Sequence, residues 1–291
     1  LADSVRGVNN IIYSNLTNPQ YNNTTYQYNS FNSNGFTVTD DTAGNYNING
    51  NGIDYVSWNW KAADHDRSLA TINQDGSITS LVSANVAAGF SIVKWQSNGI
   101  AGATVGHGID TPKMIIVKDL DNARNWLVYH SAIGSTGGIQ LNLTTAAATD
   151  SNYWDNTSPT SSVFSLASYS NESGSNNMIA YCFTSITSYQ KVGSYTGGGT
   201  NNVTVNVGFA PSFIMIKSTT NGRNWLIYDN VRETGTVPYE NDTLLLPDSV
   251  SEEVSGIVTR GIQFTSTGFV LNQNYNNTNL SGEIHIYLAI A

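Results

Sequence analysis

Hydrophobic positions along this chain come in short alternating runs, cut by clusters of Gly, Asn, Asp and Ser. Gly89–Phe90–Ser91–Ile92–Val93–Lys94–Trp95, Met114–Ile115–Ile116–Val117–Lys118 and Trp126–Leu127–Val128–Tyr129 are three such runs. A period near two, or a brief continuous apolar run between turn residues, predicts strands. No segment sustains a helical period, and Asn122–Asn125 and Thr219–Gly222 read as hairpin turns leading into the strands that follow.

The runs also repeat. Arg124–Asn125–Trp126–Leu127–Val128–Tyr129–His130 returns as Arg223–Asn224–Trp225–Leu226–Ile227–Tyr228–Asp229, and upstream of each a second match pairs Gly108–Lys118 with Gly208–Lys217. Phe31–Asn32–Ser33–Asn34–Gly35–Phe36 matches Phe264–Thr265–Ser266–Thr267–Gly268–Phe269, Asp3–Ser4–Val5–Arg6 matches Asp229–Asn230–Val231–Arg232, and Ile53–Trp58 falls where Glu283–Leu288 does. Internal repetition of this kind governs the whole fold. The expectation is an all-β protein of tandem antiparallel β-sandwich repeats, each about a hundred residues long. Residues 1–62 read as the C-terminal half of a repeat, 63–87 as a linker with an extra strand near Ile78–Val82, and 88–187 and 188–291 as complete repeats. Trp126, Trp225, Tyr129 and Tyr228 are the equivalent core residues. A half-sandwich bares an apolar face and a strand edge, so residues 1–62 are expected to be covered, either by preceding sequence or by strands from a neighbouring subunit.

Composition supports strands and narrows the partners. Hydrophobic residues make up 40% and charged residues only 11%, with Asn, Ser, Thr and Gly in place of the usual helix formers. A net charge of −9 with 12 Lys and Arg argues against nucleic acid and against an anionic membrane surface, and no run approaches the ~20 apolar residues that span a bilayer. The single Cys182, inside the apolar run Met178–Phe183, reads as a buried structural thiol, and no disulfide framework is possible.

Candidate chemistry is sparse. The local acidic clusters are Asp64 and Asp66 around His65, Asp119 with Asp121, and Glu252 with Glu253. They read as turn formers and a solvated face, because strand neighbours point to opposite faces and cannot flank one bond. His107, between two glycines, reads as a turn residue. No nucleophile elbow, phosphate loop or zinc-helix motif occurs, so no catalytic residue and no enzyme activity is expected. Asn49, Asn51 and Asp54 place oxygen side chains in alternation, a weak calcium candidate that lacks the acid density of a calcium loop. Otherwise no cofactor is implied. The strongest small-ligand expectation is a glycan at Tyr153, Trp154 and Asp155, where aromatic rings and a polar loop suit sugar faces and hydroxyls.

The succession Asp3–Gly7, Tyr55–Ala62, Asp75–Thr79, Gly89–Val93, Gly106–His107–Gly108 and the two Arg-Asn-Trp strands resembles an uncharacterised repeat domain of marine bacteriophage proteins, over nearly the whole chain. Those proteins are tail-fibre or virion structural components, often with a lectin-like or SPRY-type sandwich upstream. The resemblance implies a structural and receptor- or glycan-recognition module of a cyanophage-like virion, as tail fibre, spike or capsid decoration. It implies other virion proteins as partners, a host surface glycan as ligand, a homo-oligomer such as a trimer, and a place on the assembled particle. A depolymerase of host polysaccharide and a bacterial adhesin or surface-array protein are the alternatives.

Overall fold

The computed structural model describes residues 1–22, 28–38, 48–63, 70–171, 174–200, 202–232, 243–255, 262–271 and 275–291. The chain is all-β, and the described residues contain no helix. Before residue 63 lie β1 (Asn10–Ile11), β2 (Tyr21–Asn22), β3 (Tyr28–Asn32) and β4 (Gly35–Val38). Two strands, β5 (Thr71–Asn73) and β6 (Ser80–Asn85), occupy the expected linker. The middle of the chain forms β7 (Phe90–Gln96), β8 (Thr104–Gly106), β9 (Met114–Asp119), β10 (Leu127–His130), β11 (Gly137–Gln140), β12 (Ala148–Thr149), β13 (Val163–Ser165) and β14 (Asn177–Phe183). The last part forms β15 (Gln190–Thr196), β16 (Val203–Asn206), β17 (Phe213–Ser218), β18 (Leu226–Asp229), β19 (Ile262–Thr265), β20 (Gly268–Leu271) and β21 (Ile284–Ile290).

These strands form two large sheets and several small ones. The larger is eight-stranded, in the order β12-β11-β10-β9-β14-β7-β6-β5, and the next is four-stranded, β15-β21-β17-β18. Within them the run β10-β9-β14-β7 and the run β18-β17-β21-β15 have the same order of corresponding strands, every pair antiparallel. The residues expected to link repeats instead extend the eight-stranded sheet, because Leu81, Val82 and Ser83 continue the alternation and pair with Lys94, Val93 and Ile92. Turn chemistry fixes one small hairpin twice over: Phe31 faces Phe36 across β3-β4 and Phe264 faces Phe269 across β19-β20, each closed by a two-residue turn.

The two large sheets face each other and enclose a middle core. Ile92, Met114, Ile116, Val128, Ile179 and Tyr181 of one sheet meet Val192, Phe213, Met215, Ile227, Ile286 and Leu288 of the other. Alternate residues of the same strands point outward into two flanking cores. On one side Val93, Ile115, Val117 and Cys182 pack against the β8-β13 layer through Val105 and Phe164. On the other, Ile214, Ile216, Tyr228 and Tyr287 pack against β16-β20-β19 through Val205, Phe269 and Leu271. This is why β9 and β17 are buried at every position, as their continuous apolar runs require. Residues 1–12 and 58–62 close the rim of the middle core with Val5, Ile12, Trp58, Trp60 and Ala62.

Candidate functional site

The polar groups that the fold buries lie mainly where one part of the chain meets another. Asp3 caps its own turn, accepting from the N–H of Val5 at 3.0 Å and of Arg6 at 2.9 Å, and its second oxygen takes Arg6 Nε at 2.5 Å. Tyr181 of β14 donates its hydroxyl to the same carboxylate at 2.8 Å, and Arg6 Nη2 reaches Tyr181 Oη at 3.3 Å. Burial pushes the Tyr181 hydroxyl well above its ordinary pKa, so it remains a donor to Asp3. Asp229 builds the same clamp: N–H of Val231 and Arg232 at 3.2 and 3.0 Å, Arg232 Nε at 2.6 Å, and here the indole of Trp58 at 3.3 Å with Arg232 lying over its ring.

Two further contacts join parts of the chain. Trp126 Nε1 donates to the Tyr13 carbonyl at 3.0 Å and Trp225 Nε1 to that of Gln140 at 2.9 Å. The buried ammonium of Lys118 donates to Thr17 O at 3.1 Å, and that of Lys217 to Thr144 O at 2.8 Å. Burial pulls both lysines down to about 8. These groups hold the sheets together and do not open to solvent.

The residues nominated from the sequence fall into place differently. Trp126, Trp225, Tyr129 and Tyr228 are all buried core residues. Tyr153 and Trp154 are buried too, at 3% and 1% exposure, so they form no platform for a sugar ring. The reason is local: Asp155 and Asn156 both take a left-handed φ of 51°, a tight turn that swings the Trp154 ring inward, edge-on to Tyr129 at 5.7 Å. Only Asp155 of that trio remains exposed.

Asp119 and Asp121 serve as turn locks. Asp119 accepts from the N–H groups of Asp121 and Asn122 and from the Asn176 amide, while Asp121 accepts from the N–H of Asn177. Glu253 is exposed and pairs with Arg232 at 2.7 Å. His107 is buried, with Nε2 facing the Thr160 carbonyl at 3.2 Å and Nδ1 accepting the N–H of Ile109. Asn49, Asn51 and Asp54 lie exposed on the turn before residue 55. Asp64, His65 and Asp66 lie outside the described residues, and among those described no three His, Cys, Asp or Glu side chains gather as a metal site.

One opening was not signalled by the sequence. It is a cleft of about 340 Å³ whose walls include Arg223, Asn224, Leu244, Tyr275, Asn276 and Asn277, a volume within the range of small-molecule sites. Arg223 leans on the buried Glu283 through Nη2 at 3.4 Å, while its buried Nε has no partner among the described residues. Asn277 donates to Tyr275 Oη at 3.0 Å. Amides, a guanidinium and a phenol above the apolar Leu244 suit a ligand rich in hydroxyls. In the eight-stranded sheet the corresponding place holds Gly138, and the ring of Tyr153 fills the space. The Arg-Asn pair was visible in the repeated strand, whereas Tyr275–Asn276–Asn277 resembles many polar loops of this chain.

Glu283 is a buried carboxylate near this cleft. It accepts from Ser218 Oγ at 3.0 Å and from the Asn221 amide. His285, 3.6 Å away and stacked on Tyr195, is held down to about 4 by burial and is neutral at pH 7. Asp119 and Asn176 make the matching bond in the other sheet with the acid on the opposite strand, so this carboxylate serves the turn.

No curated protein and no solved structure matches this chain. A family described as a domain of unknown function, DUF7483, matches residues 1–291, and the chain belongs to that family.

Proposed function

We propose that the chain is a structural and recognition module of a bacteriophage virion that presents the Arg223–Asn277 cleft to a glycan of the host surface. The observation that carries this reading is where the acids go. Asp3, Asp119, Asp121, Asp229 and Glu283 each bond a turn, a clamp or a neighbouring strand, which suits a scaffold. The motif order along the chain supports a virion component, and the polar cleft supports sugar recognition by amides and a guanidinium. Burial of Tyr153 and Trp154 moves the proposed glycan contact to this cleft.

Immunogold labelling with antibody to the chain, followed by electron microscopy of intact particles, is expected to decorate a fibre, spike or capsid surface; labelling confined to disrupted host cells would overturn the virion reading. A glycan array probed with the purified chain is expected to retain surface polysaccharide fragments, and N276A, a change at an exposed residue of the cleft wall, to lose that retention while melting at the wild-type temperature. Release of reducing ends from host polysaccharide would replace recognition by depolymerisation.

A further inference from the structure

The same junction contacts are made at two of three like hairpins. Ile11 pairs with Tyr21, Gly138 with Ala148 and Leu244 with Val254, and each hairpin's inner strand also pairs with the residue two places ahead of Asp3, His130 or Asp229: Leu1 with Ile12, Val128 with Ile139, Ile227 with Leu245. From the first hairpin, the carbonyls of Tyr13 and Thr17 receive Trp126 and Lys118, and the N–H of Gln20 donates to Leu120 O. From the second, the matching carbonyls of Gln140 and Thr144 receive Trp225 and Lys217, and the N–H of Ala147 donates to Thr219 O. The third hairpin carries Leu246, Val250 and Glu253 at these places.

The clamps complete the circuit. The first, at Asp3 and Arg6, grips Tyr181 of the middle part; the last, at Asp229 and Arg232, grips Trp58 of the first part. Contacts thus lead from first to second, second to third and third to first, the pattern of a closed cycle. We infer that the chain is a ring of three like positions around the middle core, and that the third position takes the front half of this same unit: a strand ending in Lys and, eight residues on, the Trp of an Arg-Asn-Trp strand, on a segment not among residues 1–291.

The open position is marked by an unpaired edge. Residues 53–62 run into the middle core with Trp58, Trp60 and Ala62, yet no described strand pairs along them. Their counterparts β14 and β21 are flanked on both edges, by β7 and β9 and by β15 and β17. An edge left open in this way is completed by an added strand. Lys118 lies opposite Ile179 and Lys217 opposite Ile286, so the incoming Lys sits across from Val56. Its ammonium then meets Val250 O, the incoming indole meets Leu246 O, and the N–H of Glu253 finds the carbonyl two residues past the Lys.

A peptide copying residues 188–226 supplies this pattern as a probe. Added to the full chain, it is expected to bind one to one and to slow amide exchange at residues 54–61 and 250–253 by roughly tenfold or more. A peptide with K217M and W225F is expected to lose that protection. A fusion placing the same 39-residue copy directly ahead of Leu1 removes dependence on peptide solubility and is expected to protect the same amides. Unchanged exchange in the fusion would overturn the inference, as would a dimer of the chain that already protects residues 54–61 by contact between two copies.

Discussion

At the scale of single residues, the clamp at Asp3 carries the largest consequence. Asp3 and Arg6 are 6% and 3% exposed, and removing one partner leaves the other charge buried and unpaired. R6A is therefore expected to cost about 3–5 kcal/mol, read from the urea midpoint. R6K is not expected to restore it, because one ammonium cannot reach the carboxylate, the Asn10 and Leu1 carbonyls and Tyr181 together. Arg232 is less enclosed, at 13% side-chain exposure, and R232A is expected to cost less. Cys182 makes a separate test. Burial pushes its thiol up to about 12, so the native protein at pH 8 should not react with a disulfide reagent, and urea should release one thiol per chain.

Elements show what the sequence could and could not reveal. Alternation and turn residues sufficed for β7, β9 and β10, since side-chain period is written in residue identity. The clamps were visible as matched Asp-x-Val-Arg runs. The hairpin contacts were not, because their acceptors are backbone carbonyls: Tyr13 and Gln140, or Thr17 and Thr144, do the same work whatever side chain they carry. Trp154 misled for another reason, since a polar neighbourhood looks like surface until the left-handed turn after it directs the ring inward. Gly138 belongs to this element, since a Cβ there would lie 2.5 Å from the Tyr153 ring. G138A is expected to destabilise by about 1–3 kcal/mol and to shift Trp fluorescence to the red as the loop around Trp154 loosens.

For the whole molecule, pH dependence follows from cations that folding keeps neutral. Burial lowers His130 and His285 from 6.5 to about 4. Between those limits the unfolded chain binds protons that the folded chain refuses, so their contribution to stability is complete above pH 6.5 and is lost as pH drops toward 4. Asp248, pushed up by burial, favours the folded state on protonation and softens the low end. Urea midpoints should decline from pH 6.5 to pH 4, and H130N should flatten that decline.

The hairpins at Gly138 and Leu244 have an evolutionary consequence. In an assembly of identical subunits a mutation appears at every equivalent place at once, so improving one site spoils or duplicates the others. Here equivalent places are encoded separately: one holds a glycine sealed by Tyr153, while the other holds a leucine under an open cleft. One site can change its lining while its sister, bound by packing, keeps the scaffold intact.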